Sequence, residues 1–477
     1  MPRSGGLLRR LLQWCVPDLA FATACITLFY CLFLFQGYQQ LFRDSDAGWH
    51  IRTGERILAS HQLPHTDSYS FSRESQPWFA WEWLADVATG AMHRTAGLAG
   101  VALFYGSVIA CGVWLWFRLH WAMGGNFFIA CAMCPLALST CNIHWLARPH
   151  VIGWLFLLIA VLWAEKPHAS FGWLDALAIG GFSALWANTH ASFFLAPMVF
   201  GVYVLRRSSW YVWAALVAAV GPLLNPYGWH LYQHVFRYLA DSELLARISE
   251  FQTFDFHTAG SGQIIAALIL GIAGGTLAFT QGRYERAALA VLFSVVGIRS
   301  ARGLPLIALV LLPIANGAIA PLLPRGFSEY CKRLRAIDAR LSGVVLAPIL
   351  IALAFLVLQR LPVGFPPDQF PVAAYVHIPA DARLFSSDKF GGYLIYRSNG
   401  ERKVFFDGRS DFYGVDFLKQ VTRVVQLRPG WQTIFDSYRF SHALLPQDYP
   451  LTQALEERGW QEVYRDKTAV LLARGRT

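Results

Sequence analysis

Two aspartates stand directly after the first long apolar segment, in the run RDSDAGWHIRTGERI at residues 43–57. A carboxylate there can accept a proton from a hydroxyl, amine or amide within hydrogen-bond reach. Asp44 and Asp46 also have DxD spacing, and carboxylate oxygens are the ligands that Mg2+ or Mn2+ prefers. Because Asp is equally favoured at the start of a helix, a purely structural capping role is the alternative for both residues.

Arginines, histidines and further carboxylates occur near the ends of other apolar segments. Arginine binds phosphate through a forked pair of N–H donors, and histidine and carboxylate groups can exchange protons. The candidates for binding a phosphate or the rest of a substrate are Arg148, His150, Arg299, Arg302, Arg52, His190, Glu82 and Glu250.

Structural explanations compete with these chemical ones. Arg299 and Arg302 could extend to the membrane interface, as long basic side chains do. Glu82 could pair with an arginine of its own loop, and His190 could be a buried hydrogen-bonding group. The run FFDGRSDFYG at residues 405–414 is typical of a turn with internal ion pairs rather than of a catalytic segment.

The composition indicates a membrane protein. Of the 477 residues, 55% are hydrophobic and only 15% are charged, whereas soluble domains carry roughly 25% charged residues. The net charge of +10 comes from basic residues in short loops between apolar segments and not from one continuous face. The chain is therefore predicted to contact membrane lipids and not nucleic acid.

The hydrophobic pattern predicts about eleven transmembrane helices, since a span needs about 20 apolar residues. The segments are 19–42, 98–118, 126–143, 150–164, 173–189, 191–205, 210–224, 262–280, 286–298, 304–323 and 341–359.

Basic residues fall in alternate loops, which the positive-inside rule places in the cytoplasm together with the N-terminus. They are Arg3, Arg9, Arg10, Arg206, Arg207, Arg283, Arg286, Arg325, Lys332, Arg333, Arg335 and Arg340. An odd number of spans puts the loop 43–97 and residues 361–477 outside. The candidate residues above then gather on the outer face, whereas the inner charges are nearly all basic and are interpreted as topological.

Two regions outside the spans are predicted to fold. Residues 49–60 have near-helical apolar spacing and predict a short helix on the membrane surface. Beyond the membrane domain 1–360, residues 361–477 predict a small α/β domain. Its expected strands are 383–387, 391–397, 403–407 and 441–446, its helices 415–425 and 451–458, with a hairpin over 460–472.

The segment after the first span resembles the first extracytoplasmic loop of the GT-C superfamily of lipid-dependent glycosyltransferases. The likeness is greatest to a group of bacterial multispanning proteins and covers nearly the whole chain. The shared motifs are DxDxxWHxRxGExI at residues 44–57, PxxDxxSF at 64–71, WxxxEWL at 78–84, WANxH at 186–190 and VFxDGRxDxYG at 404–414.

This resemblance implies a GT-C-like fold, a bacterial inner-membrane location and a sugar donor carried on a polyprenyl phosphate. The acceptor would be a lipid, a glycan or a protein. It implies Asp46 as the catalytic base, with Asp44 as the competing choice. Oligosaccharyltransferase-like members hold Mg2+ or Mn2+ with such a DxD pair, and others use no metal. A transporter of lipid-linked glycans and a non-catalytic scaffold of the same fold are the alternative hypotheses.

Overall fold

The computed structural model describes residues 13–475, so the predicted topological residues Arg3, Arg9 and Arg10 lie outside the described part. The chain is mostly helical. The helices of the first 360 residues are α1 (Leu19–Phe33), α2 (Asp46–Ser60), α3 (Trp83–Ala122), α4 (Phe127–Asn142), α5 (His150–Glu165), α6 (Trp173–Ala187), α7 (Leu195–Tyr203), α8 (Ser209–Val220), α9 (Trp229–Ala240), α10 (Ser261–Thr280), α11 (Tyr284–Arg299), α12 (Leu312–Ile319), α13 (Arg325–Asp338) and α14 (Leu346–Leu358).

Each of the eleven predicted spans overlaps one of these helices, although 304–323 is made of several short helical pieces of which α12 is the longest. By length and composition four helical stretches could cross a membrane, namely Gln13–Gln40, Trp83–Ala122, Ser261–Thr280 and Ala301–Leu322, and six other apolar helices are shorter. The number of spans therefore stays a prediction. α3 is not continuous, because Gly97 adopts a φ of 60° within it and separates a loop portion from the apolar portion.

The predicted surface helix exists as α2, but it does not lie open on a surface. Its first turns are buried on several sides, between α3 and a helix of the C-terminal region. The approach is very close at two glycines, since a methyl group on Gly48 or on Gly392 would overlap the opposing backbone. The amphipathic pattern predicted the helix correctly but did not predict its second packing face.

Residues 361–475, called the C-terminal region below, form a four-stranded mixed sheet with flanking helices. Strands β1 (Leu384–Ser386), β2 (His442–Leu445), β3 (Gln461–Arg465) and β4 (Val470–Ala473) are ordered β1-β2-β4-β3. β1 and β2 are parallel, and the other two pairs are antiparallel. The helices are α15 (Asp388–Arg397), α16 (Ser410–Val425), α17 (Trp431–Ser437) and α18 (Pro450–Glu457).

Two of the predicted strands are wrong. Residues 391–397 belong to helix α15, in which Phe390 to Ile395 are all buried, so that no helical period marks the sequence. Residues 403–407 form no strand, although Val404 makes an isolated parallel bridge to Ser70 of the first loop. In both places a contact with the first loop decides the local structure, and such a contact is invisible to local patterns.

Candidate functional site

A cavity of about 1070 Å³ lies between the membrane helices and the C-terminal region. Its walls come from the α1–α2 connection, the loop before α5, α7, the segment after α9, α11 and the C-terminal region. Of the residues predicted from the sequence, those that line it are Asp44, Asp46, Glu82, Arg148, His150, His190, Glu250 and Arg302. The cavity thus brings together groups from six separate segments.

Arg148 is the centre of the polar part of the cavity. Its NH1 atom lies 2.6 Å from Asp44 Oδ2 and 3.1 Å from Glu250 Oε1, and its NH2 atom lies 2.8 Å from Asp46 Oδ2. The other oxygen of Glu250 lies 2.5 Å from Nε of Arg302. Two arginines and three carboxylates are therefore linked in one chain of ion pairs.

Local folding sets this arrangement. Asp44 Oδ1 accepts a hydrogen bond of 2.9 Å from the backbone N–H of Asp46, so part of the capping alternative is realised. The Ala147 N–H donates to the Leu41 carbonyl at 2.7 Å, which ties the loop before α5 to the end of the first span. Pro149 then starts α5, and Arg148 points from the turn ahead of it into the cavity.

Burial and charge set the proton affinities of the two key carboxyls differently. Burial raises the pKa of Asp46 to about 7, against the effect of Arg148, and the carboxylates of Asp44 and Glu250 add to the rise. Burial acts on Glu250 as well, but Arg302 and Arg148 together hold its pKa well below the usual range. Glu250 is thus a permanent anion, whereas Asp46 can gain and lose a proton near neutral pH.

A second proton-exchanging group lies around Glu82. Its Oε2 is 3.8 Å from His50 Nε2, and its Oε1 is 3.5 Å from His190 Nε2. On its other side, Nδ1 of the buried His50 is 2.6 Å from Asp86 Oδ1. Burial raises the pKa of Glu82 to about 7, although Arg148 and Arg302 oppose the rise.

Burial, together with the charges of Arg302 and Arg148, lowers the pKa of His190 to about 3. His190 is therefore a neutral imidazole at pH 7. Its Nδ1 lies 2.7 Å from Ser192 Oγ, so a structural hydrogen-bonding role and a cavity-lining position coexist.

One side of the cavity is apolar. It is lined by Trp154, Phe194, Leu195, Met198, Leu292, Phe293, Val296 and Leu306. These side chains belong to α5, α7, α11 and the turn before α12 and to the segments that flank α7. A ligand with a charged head and a hydrocarbon tail would find both kinds of surface here.

Two predicted candidates do not reach the cavity. Arg52 packs against the C-terminal region, where its Nε and NH2 atoms donate to the Tyr396 carbonyl and NH1 pairs with Glu55 at 2.6 Å. Arg299, the last residue of α11, is exposed and does not line the cavity.

The sequence reasoning also missed several lining residues. His144, Asp388, Lys389 and Gly408 all line the cavity. His144 could have been found from its place in the short polar run before α5, NIHWLARPH. The other three come from the C-terminal region, and no local pattern signals that this region meets the cavity.

The DxD pair does not match a metal site in this arrangement. In the described part of the chain no three His, Cys, Asp or Glu side chains are placed so that they could hold a metal ion. One oxygen each of Asp44 and Asp46 faces the Arg148 guanidinium, which supplies the positive charge between them. A bound Mg2+ or Mn2+ stays a prediction from the resemblance.

No protein-family model and no curated protein sequence matches this chain. Its fold is similar to two solved structures of the Archaeoglobus fulgidus oligosaccharyltransferase. One carries an acceptor peptide with the NVT sequon tethered through a disulfide bond, and the other is the apo form. The TM-scores are 0.54 and 0.55 at 10% identity, over 89% of this chain and 68% and 69% of those chains. The likeness supports the GT-C-like fold that the resemblance implied.

Proposed function

We propose that this chain is a GT-C-type membrane glycosyltransferase that moves a sugar from a polyprenyl-phosphate carrier to an acceptor on the extracytoplasmic side of the bacterial inner membrane. The observation that carries the proposal is one cavity in which a carboxyl with a pKa near 7, Asp46, stands beside two arginines and an apolar wall. The carboxyl suits the acceptor, the arginines suit the phosphate, and the apolar wall suits the lipid chain.

In the proposed reaction, an acceptor oxygen or nitrogen attacks the anomeric carbon of the donor sugar. The new glycosidic bond forms as the bond between that carbon and the phosphate oxygen breaks, and the polyprenyl phosphate leaves with the electron pair. The proton of the acceptor passes to Asp46, or to Asp44 in the competing assignment. General-base assistance of this kind typically contributes 10²–10⁴-fold to a rate.

Arg302 is suited to the leaving phosphate. Its Nε atom is held by Glu250, and among the described residues no protein oxygen accepts a hydrogen bond from its two terminal nitrogens. The guanidinium also lies over the Phe251 ring at 4.7 Å, which limits its movement. A fixed, charged fork with free donors is the arrangement that binds phosphate oxygens.

The test is turnover of a labelled polyprenyl-phosphate sugar by the purified full-length protein in lipid nanodiscs, with a panel of peptide, glycan and lipid acceptors. We expect transfer by the wild type and its loss in Asp46→Asn with an unchanged melting midpoint. Asp381→Asn, at an exposed aspartate of the C-terminal region, is the matched control and should retain full activity.

The alternative functions give different results in the same system. A transporter would move the labelled lipid between the two leaflets of a vesicle without breaking the sugar–phosphate bond. A scaffold would do neither. Full activity of both Asp44→Asn and Asp46→Asn would show that neither carboxylate is the base.

A further inference from the structure

Two sequence motifs that the proposed reaction does not use lie against each other in the structure. They are the turn at residues 64–71 of the first loop and the run at 404–414 of the C-terminal region. The Val404 N–H donates to the Tyr69 carbonyl at 2.8 Å, and the Phe71 N–H donates to the Val404 carbonyl at 3.0 Å. Hence the two segments are joined by backbone hydrogen bonds as well as by side-chain packing.

Buried ion pairs of Arg409 stabilise this junction. It is 2% exposed, and its NH2 atom lies 2.8 Å from Asp67 Oδ1 and 2.7 Å from Asp407 Oδ2. Its guanidinium also lies over the ring of Trp78 at 4.7 Å. Trp78 in turn meets Trp49 of α2 edge to face, with ring centroids 6.1 Å apart. Breaking a buried, paired charge of this kind is costly, so the junction is rigid.

The residue next to Arg409 meets the proposed base. A methyl group placed on Gly408 would overlap Oδ1 of Asp46 and would lie 2.8 Å from its Cγ. Asp46 is thus enclosed between two groups, with Arg148 on its Oδ2 and the Gly408 backbone against its Oδ1. Gly408 needs no positive φ, so close packing and not backbone conformation is what requires glycine here.

We propose that residues 407–409, the DGR loop, are a positioning element for the catalytic base. The loop, anchored on Asp67 through Arg409, holds the Asp46 carboxylate against Arg148 and leaves room for an acceptor only on the cavity side. This inference rests on the proposed function, because it assigns a purpose to the geometry of Asp46.

The test is a double-mutant cycle in which both the melting midpoint and the turnover are measured. Gly408→Ala is made in the wild type and in Asp46→Ala, where no carboxylate remains to collide with the methyl group. Gly262→Ala is the matched control, since a methyl group there meets open space at the start of α10. Melting midpoints are measured for all variants, and the turnover of the labelled donor is measured from pH 5 to 9.

We expect Gly408→Ala to lower the melting midpoint of the wild type and to have no effect in the Asp46→Ala background. Such non-additivity is the signature of two groups in contact. Turnover by Gly408→Ala should fall about 100-fold, the cost of misplacing a catalytic group by about 1 Å. Separation of Asp46 from Arg148 should also move the acidic limb of the pH profile upward by about one unit.

The experiment distinguishes a failure of the contact, of the positioning role and of the proposed function. An equal effect of Gly408→Ala in both backgrounds would show that the contact does not exist, whatever the turnover. A coupled effect on melting with full activity and an unmoved pH profile would also overturn the positioning role. A coupled effect together with no transfer by the wild type would contradict the proposed function and leave the contact established.

Discussion

The two ends of α5 carry two charge clusters of opposite character. The cavity cluster (Asp44, Asp46, Arg148, Glu250 and Arg302) lies beside its first residue, His150. The closed cluster (Glu165, Arg206, Glu285 and Arg286) surrounds its last residue, roughly 24 Å away at 1.5 Å per residue.

In the closed cluster every charge has a partner. Both oxygens of Glu165 bind Arg286, each at 2.9 Å, and Oε2 also binds Arg206 at 2.8 Å. The Nε atom of Arg206 donates to Glu285 at 2.9 Å, and Tyr203 donates to Glu165 at 2.7 Å. Two glutamates balance two arginines, and none of the four lines the cavity.

The cavity cluster has more carboxylates than arginines, and it borders open space. Burial raises the pKa of Asp46 even though it touches Arg148, and the carboxylates of Asp44 and Glu250 add to the rise. The comparison teaches that charge at a span end does not by itself mark a functional site. Charged groups that border a cavity are better candidates, because a ligand can reach them there.

The largest expected effects are a loss of activity when the cavity cluster is changed and a loss of stability when the closed cluster is changed. Asp46→Asn should reduce turnover about 1000-fold without lowering the melting midpoint, because a general base is lost while Arg148 keeps its ion pairs with Asp44 and Glu250. Glu165→Gln should cost about 3–5 kcal/mol of stability, because Arg206 and Arg286 lose a buried partner. Activity per folded molecule of Glu165→Gln should match the wild type.

The measurements are donor turnover and thermal unfolding of both variants in the same nanodiscs. A stable but inactive Glu165→Gln would break the comparison, since the closed cluster would then take part in the reaction.

A pH titration should act on the cavity cluster with opposite signs for activity and stability. The pKa of Asp46 is raised from 3.8 to about 7 and that of Glu82 from 4.5 to about 7. Turnover should rise about tenfold per pH unit up to pH 7, because the base must be ionised. Between about pH 4 and pH 7 these two carboxyls hold protons in the native state that they lose in the unfolded chain, so their contribution to stability should fall as the pH rises. Buried neutral histidines such as His190, whose pKa is lowered, act in the opposite direction, so the contribution of the two carboxyls is measured as the difference in stability between the wild type and a variant that lacks them.

The stability of the wild type relative to that of Asp46→Asn combined with Glu82→Gln should fall as the pH rises through this window. A relative stability that rises with pH there would contradict the raised pKa values.

Arg302→Lys tests whether the free donors of the cavity cluster bind the donor phosphate. The substitution keeps the charge and removes the planar fork, so KM for the lipid donor should rise about tenfold, the equivalent of about 1.4 kcal/mol. The maximal rate should change less. Arg206→Lys in the closed cluster is the counterpart and should leave KM unchanged.

The smallest expected effect is that of metal removal. Because Arg148 already supplies a positive charge between Asp44 and Asp46, EDTA should change turnover by less than about twofold. Arg148→Ala should be nearly inactive, and added Mg2+ or Mn2+ should restore part of its activity. Full loss of wild-type activity in EDTA would instead support the metal site that the resemblance implied.

The sequence predicted the helices well and the cavity only in part. Apolar runs of this length leave few alternatives to helices, so each of the eleven segments contains helix, while the number that crosses a membrane stays a prediction. Arg299 and Arg302 illustrate what the sequence pattern cannot predict, namely which side chain enters the cavity. They are three residues apart, but α11 ends at Arg299 and the extended Ser300 redirects the chain, so that only Arg302 enters the cavity.

The inner charges have a structural role that the sequence does not indicate. The sequence interprets Arg206 and Arg286 as topological, and their part in membrane orientation stays a prediction. The structure adds that Glu165 and Glu285 pair with them. Glu165 stands at the end of an apolar helix, so nothing near it in the sequence indicates arginines 41 and 121 residues further on.

The glycine contact between α2 and α15 limits how this protein could be recombined with its relatives. At Gly48 and Gly392 the two backbones touch with no side chain between them, so neither helix tolerates a bulkier partner. A chimaera that exchanges only residues 361–477 would join surfaces that have not been fitted to each other. Exchange of the first loop together with the C-terminal region would keep the matched pair of surfaces.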